Sequence, residues 1–192
     1  MKVAFIGNSH IAAYRAALDR GYQPPDNVTV VFFGSAGERM ATFGLDGTTL
    51  RSTDESVIAQ LERLWGTTTL DLKGIDVVAL TGMGVSTRLL GVVYKTHRSD
   101  SMAPGDYLVS DDTFRQAAAG LHQESALAQL SREIRSASPA MIVGLPQPLP
   151  SEAILMRPNN WVGDATRNGD GPRLAALAIE LRRDELGLDL VV

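Results

Sequence analysis

The residues with the clearest chemical potential lie near the amino terminus, around Ser9. The apolar residues 3–6 predict a buried strand, and Gly7-Asn8-Ser9-His10 follows this strand directly. Ser9 then falls where a helix should begin, among backbone amides that lack intrahelical partners and can stabilise an alkoxide or an oxyanion. The alternative is that Ser9 or Asn8 only caps the helix, which is the commoner role for these residue types.

Glycines follow the next two predicted strands at the corresponding position. Gly34 comes directly after residues 28–33, and Gly82 and Gly84 follow the strand predicted at residues 75–80. Since glycine has no Cβ, backbone amides at these positions can approach one point closely. Each glycine alone is an ordinary turn residue, but together with Ser9 they predict an oxyanion pocket.

The stretch Gly7-Asn8-Ser9-His10 resembles the first block of the SGNH/GDSL hydrolases, which reads Gly-Asp-Ser in most members and Gly-Asn-Ser in some. The resemblance implies that Ser9 is the nucleophile of acyl transfer. It further implies that backbone amides of Ser9, Gly34 and Gly84 hold the oxyanion, with Gly34 standing where the glycine of the second block lies.

The third block departs from the family pattern, Gly-x-Asn-Asp. The matching stretch is Gly82-Met83-Gly84-Val85, so the asparagine that donates to the oxyanion is missing. Loss of one such donor costs about 2.7–4 kcal/mol of transition-state stabilisation. A backbone amide, or a side chain such as Asn159 or Asn160, would have to replace it.

The catalytic base is the largest departure. The family's fourth block is Asp-x-x-His, and none of the three histidines here has an aspartate three positions before it. We interpret His10 as a pocket-lining or packing residue and His122 as a surface or groove residue, while His97 could reach the site from a loop. We therefore expect the base to lie beyond Val192 or to be absent, and residues 1–192 alone to be a poor hydrolase.

Five apolar runs are predicted as strands, at residues 3–6, 28–33, 75–80, 140–145 and 188–192. Continuous apolar runs indicate strands that are buried on both faces, as in a parallel sheet. The sequence predicts a single α/β domain over residues 1–192, three-layer α/β/α, with a five-stranded parallel sheet of flavodoxin-like, SGNH-type order 2-1-3-4-5. Ligands of such a sheet bind at the carboxyl ends of strands 1 and 3.

Helical patterns separate these strands. One helix follows the possible cap Asp54, with Val57, Ile58, Leu61, Leu64 and Trp65 on one face. A second is predicted over residues 172–187, with an inner stripe of Leu174, Leu177, Ala178 and Leu181. A third is predicted as one long helix over residues 113–136, which Gly120 could bend.

Two segments are predicted as loops, at residues 97–112 and 146–171. Loops of the second length in compact domains are usually functional or disordered. We expect the second loop to cover the Ser9 pocket, together with Asn159, Asn160 and Trp161. Trp161 either offers a face for sugar stacking or anchors the loop to the core.

The composition excludes several classes of site. The chain has 192 residues, a net charge of −4 and no cysteine, which excludes disulfides and thiolate metal sites within it. Its arginines are scattered, so a nucleic-acid partner is not expected. No apolar run approaches the roughly 18 residues of a membrane span. We expect a soluble, cytoplasmic protein without a cofactor, a metal or a membrane partner.

The leading interpretation is a serine esterase or deacetylase that acts on a small acyl ester, with O-acetylated carbohydrate as a candidate substrate. The alternative is a non-catalytic domain of the same fold that binds a small molecule or a sugar. A phosphate or nucleotide binder is less favoured, because neither Gly-x-x-x-x-Gly-Lys nor Gly-x-Gly-x-x-Gly occurs. The oligomeric state stays open.

Overall fold

A computed structural model of the chain describes residues 1–82, 90–145, 161–186 and 189–190. The chain packs as two compact units. The first unit comprises Met1–Val85, Ala126–Gln147 and Leu188–Val192, and the second comprises Ser86–Ser125 and Pro148–Gly187.

The described elements are, in chain order, β1 (Lys2–Gly7), α1 (Ile11–Asp19), β2 (Thr29–Gly34), a 3₁₀ helix (Gly37–Thr42), β3 (Phe43–Asp46), β4 (Thr49–Ser52), α2 (Glu55–Trp65), β5 (Thr69–Asp71), β6 (Val77–Thr81), α3 (Leu90–Tyr94), β7 (His97–Ser99), β8 (Tyr107–Val109), α4 (Asp111–Gln123), α5 (Ala126–Ala137), β9 (Met141–Leu145), α6 (Trp161–Arg167), α7 (Gly171–Leu186) and β10 (Asp189–Leu190).

The first unit is built on a parallel sheet in the order β2-β1-β6-β9. Its two middle strands are apolar on both faces, and Ala4, Ile6, Val78 and Leu80 are fully buried. The predicted α/β class and the first four predicted strands are thereby confirmed. The two residues of β10 pair in parallel with Val143 and Gly144 of β9.

Helix α2 forms as its sequence predicts. One carboxylate oxygen of Asp54 accepts hydrogen bonds from the backbone N–H groups of Ser56 and Val57, at 2.8 and 3.2 Å. The helix ends at Gly66 in the left-handed conformation, with φ of 68°. Val57 and Leu61 are fully buried, but Leu64, predicted on the same face, is 47% exposed.

A small antiparallel sheet, in the order β3-β4-β5, is the main element of the first unit that the sequence analysis missed. Asp46 pairs with Thr49, so a two-residue turn of Gly47 and Thr48 joins β3 to β4. Gly47 adopts a φ of 61°, which two-residue hairpin turns require. The fully buried Leu50 ties this sheet to the core of the unit.

The second unit packs α3, α4, α6 and α7 around one apolar core. Its buried members are Leu90, Tyr94, Phe114, Ala118, Ala165, Leu174, Ala178 and Leu181. The helix predicted over residues 172–187 is observed as α7, with its predicted stripe turned to this core.

Three predictions fail in or next to this unit. The predicted loop at residues 97–112 contains the parallel pair β7 and β8, and it ends inside α4. The predicted loop at residues 146–171 contains α6, while residues 146–160 lie outside the described residues. The long helix predicted over residues 113–136 is two helices, because the N–H and the hydroxyl of Ser125 both donate to the His122 carbonyl and end α4.

Candidate functional site

The turn between β1 and α1 leaves Ser9 exposed at the carboxyl end of a central strand. The carbonyls of Asn8, Ser9 and His10 accept hydrogen bonds from the N–H groups three residues further on, at 3.1 to 3.2 Å. His10, not Ser9, occupies the cap position of α1, and no side chain caps that position. No hydrogen bond links the Ser9 hydroxyl to another of the described residues, so the capping role considered for Ser9 is not observed.

The ends of β2, β1 and β6 approach each other too closely for side chains. A Cβ added at Gly34 would lie 1.9 Å from the carbonyl oxygen of Gly7, and one added at Gly7 would lie 2.0 Å from the carbonyl oxygen of Thr81. Both obstacles are backbone atoms, so neither can move aside. Gly34 and Gly82 thus lie at the strand ends next to that of Gly7, while Gly84 lies outside the described residues.

Asn8 determines which nitrogen of the His10 ring carries a hydrogen. The backbone N–H of His10 donates to Oδ1 of Asn8 at 3.2 Å, which is consistent with that atom being the amide oxygen. Nδ1 of His10 lies 2.8 Å from the same oxygen. Because an amide oxygen only accepts, Nδ1 must be the donor. In the neutral ring the lone pair is then on Nε2.

The Asn8 side chain lies against the end of β6. A Cβ added at Gly82 would lie 2.0 Å from Oδ1 of Asn8, and the φ of Gly82 is +77°. The peptide N–H of Asn8 also donates to the Thr81 carbonyl at 3.2 Å. His10 is therefore tied through Asn8 to the carboxyl ends of β1 and β6, where parallel sheets of this kind bind ligands.

Helix α2 fixes the end of β2 on the other side of β1. The indole N–H of Trp65 donates to the Gly34 carbonyl at 2.9 Å, and the Trp65 ring stacks on Phe32. The buried Ser35 donates its hydroxyl hydrogen to Oε1 of Gln60 at 2.8 Å. Sequence reasoning placed Trp65 only on the apolar face of a helix, so its role in holding Gly34 was missed.

The remaining candidates belong to the second unit. The His97 ring stacks on Tyr107, and its Nδ1 lies 2.8 Å from the Thr96 hydroxyl. His122, predicted as a surface or groove residue, is instead fully buried, and its Nδ1 donates to the Ala118 carbonyl at 2.9 Å. Burial follows from its place on the inner face of α4, four residues after Ala118.

Trp161 anchors the start of α6 within the second unit. A Cβ added at Gly91 would lie 2.3 Å from the indole of Trp161, and the Tyr94 ring centroid is 6.2 Å away. These contacts support the anchoring interpretation of Trp161. Asn159 and Asn160 lie outside the described residues.

Comparison with known proteins gives no relative. No protein-family model, characterised protein or solved structure matches this chain. The resemblance to the SGNH/GDSL hydrolases therefore rests on Gly7-Asn8-Ser9-His10 and Gly34, and membership of that family stays a prediction.

The described residues also bear on metal and membrane sites. Within the described ranges, no three or more histidine or carboxylate side chains gather in a way that could hold a metal ion. None of the helices in those ranges has both the length and the apolar character needed to cross a bilayer.

Proposed function

We propose that the protein is a serine ester hydrolase of the SGNH type, with Ser9 as its nucleophile and a small acyl ester as its substrate. The observation that carries the proposal is the exposed Ser9 hydroxyl at the end of β1, flanked by strand ends at which only glycine fits. The proposal includes a three-layer α/β/α domain with β10 as the fifth strand, in the order 2-1-3-4-5, and oxyanion donors at Ser9, Gly34 and Gly84.

The reaction proceeds in two acyl-transfer steps. The Ser9 oxygen bonds to the acyl carbon, the carbonyl electron pair moves to its oxygen, and the serine proton passes to a base. Collapse of this intermediate breaks the bond to the alcohol, which leaves with that proton. Water then repeats the sequence on the acyl-serine and releases the carboxylic acid. O-acetylated carbohydrate is the substrate class that we favour.

His10 is the candidate for the base within the described residues. Its Nδ1–H is held by Asn8, which selects the tautomer of the neutral ring, and His10 directly follows Ser9 in the chain. A neutral amide in this position selects the tautomer, as the carboxylate of a serine triad does, but it does not offset the charge of an imidazolium. We therefore expect slow turnover.

The same observation favours a second candidate function. Because the group that holds Nδ1 of His10 is an amide and not a carboxylate, this hydrogen bond leaves Ser9 weakly activated. A non-catalytic domain that binds a small ester or a sugar would have this arrangement.

Ester hydrolysis tests the proposal. We expect slow hydrolysis of p-nitrophenyl acetate that is lost in Ser9→Ala and reduced about 10²- to 10⁴-fold in His10→Ala, the usual effect of removing a general base. Ser136→Ala, at the end of α5, is the matched control and should keep full activity. Equal rates in the wild type and Ser9→Ala would overturn the hydrolase proposal, and calorimetric binding of an acetylated sugar without turnover would favour the binding domain.

A further inference from the structure

The second unit contains a cavity that has no part in the proposed hydrolysis. It has a volume of about 440 Å³, is open to solvent over much of its boundary, and lies between α3, the β7–β8 pair and α4. Most of its wall is apolar, with Val92 and Val93 from α3 and Phe114, Ala117 and Leu121 from α4. Cavities that bind small molecules usually have volumes of about 300–1,000 Å³ and mostly apolar walls.

The cavity exists because a small residue stands between larger ones on α4. Thr113, Ala117 and Leu121 are four residues apart, so they lie on one face of the helix. The Ala117 methyl group leaves a gap in this row, and the buried Phe114 lies next to it. Val92 and Ala117 are both exposed, so a ligand could enter without rearrangement of the wall.

The polar groups of the wall gather at Thr96 and His97. The Thr96 hydroxyl lies 2.8 Å from Nδ1 of His97, and the ring is held by stacking on Tyr107 at a centroid distance of 5.3 Å. The Thr113 hydroxyl is already bonded to the Ser110 hydroxyl at 2.9 Å. Among the described residues of the wall there is no carboxylate, ammonium or guanidinium group, so these residues favour a neutral ligand.

We propose that this cavity binds a neutral, mainly apolar small molecule that carries one hydrogen-bonding group, of the class of aryl or medium-chain alcohols. The apolar body fills the gap over Ala117, and the hydroxyl group meets the Thr96–His97 pair. A cavity of about 150 Å³ accepts benzene, so a volume of about 440 Å³ has room for a bicyclic aromatic ring.

Binding of 1-naphthol and naphthalene tests the proposal, since the two probes differ by one hydroxyl group. We expect submillimolar binding of 1-naphthol, followed by its fluorescence and by NMR shifts of the Val92, Val109 and Leu121 methyl groups. Naphthalene should bind about two- to tenfold more weakly, the usual effect of one hydrogen bond. This difference should vanish in His97→Phe, which keeps a ring to stack on Tyr107, and shrink in Thr96→Val.

Ala117→Trp fills the cavity and should weaken 1-naphthol binding at least tenfold, whereas Gln116→Trp, the neighbouring exposed position on α4, should leave it unchanged. Circular dichroism of each variant establishes that it is folded. Equal binding by the two tryptophan variants, or methyl shifts outside the cavity, would overturn the proposal. If the wild type binds no 1-naphthol and Ala117→Trp changes the sedimentation of the protein, this surface would instead be a contact between two copies of the chain.

Discussion

The Asn8 side chain lies where a Cβ at position 82 would be. Replacing Gly82 therefore allows the cost of backbone strain to be separated from the cost of a clash with Asn8. Alanine at position 82 meets two obstacles: a φ of +77°, which alanine disfavours, and the Asn8 amide oxygen, 2.0 Å from the new Cβ. Gly74 has the same φ of +77° and nothing within 4 Å of an added Cβ. Gly74→Ala therefore measures the backbone effect alone.

The magnitudes follow from these two geometries. A left-handed backbone costs a non-glycine residue roughly 1–2 kcal/mol, which is the loss of unfolding free energy expected for Gly74→Ala. In Gly82→Ala the Asn8 side chain must also rotate away from His10. Each of its two hydrogen bonds to His10 contributes about 0.5–1.5 kcal/mol, so Gly82→Ala should lose about 2–5 kcal/mol.

Asn8→Ala removes the same two hydrogen bonds and should lose about 1–3 kcal/mol. In the Asn8→Ala background no side chain obstructs a Cβ at position 82. Gly82→Ala should then lower the free energy of unfolding only by the cost of its left-handed backbone. The double variant should therefore be about 1–3 kcal/mol more stable than additive losses predict.

Urea unfolding of the wild type, the three single variants and the double variant measures these values. Nitrogen NMR of His10 adds an independent readout, because the Nδ1–H tautomer should be lost in Asn8→Ala and in Gly82→Ala but kept in Gly74→Ala. Additive losses at positions 8 and 82, or equal losses for the two glycines, would refute the assignment of the clash to Asn8.

Two further predictions concern pH. Burial and the hydrogen bond to Asp170 raise the pKa of Tyr94, so its contribution to stability is complete below about pH 10 and is lost as the pH rises further. In urea unfolding, the free energy of unfolding should therefore fall more steeply with alkaline pH for the wild type than for Tyr94→Phe. Parallel pH profiles of the two proteins would contradict this. Hydrogen bonds from the Ser56 hydroxyl and from the N–H groups of Val57 and Ser56 lower the pKa of Asp54, so its cap stabilises α2 above about pH 4 and fails as the pH falls through the lowered value. At pH 7, Asp54→Ala should melt at a lower temperature than the wild type, and this difference in melting temperature should shrink in acid. An unchanged difference at pH 3 would show that the charge of Asp54 is irrelevant.

The parallel sheet could be predicted because its strands are buried on both faces, and each therefore appears in the sequence as an uninterrupted apolar run. The antiparallel strands β3, β4 and β5 are only three or four residues long and half-buried, so their apolar residues are isolated. Asp46-Gly47 at the start of their first turn is the signal that could have revealed them. The break between α4 and α5 depends on hydrogen bonds of Ser125. The spacing of apolar residues along the sequence gives no sign of these bonds.

The positions of Gly34 and Gly82 at strand ends could be predicted from the apolar runs that precede them, and the position of Ser9 from the turn in which it lies. The link between Asn8 and His10 could not, since it depends on the rotamers of two side chains and on distances between single atoms. The burial of His122 was missed for a related reason. A histidine in a helix can lie on either face, and only the packing of α4 in its unit decides which.

The glycines at the strand ends also constrain how this protein can evolve. Every amino-acid replacement of glycine introduces a residue with a Cβ, and at Gly7 and Gly34 that atom meets backbone, which no compensating substitution removes. Gly82 differs, because its obstacle is the side chain of Asn8. Once position 8 has become smaller, only the cost of the positive φ remains at position 82. We therefore expect drift at this pair to follow that order, with the tautomer of His10 lost at the first step.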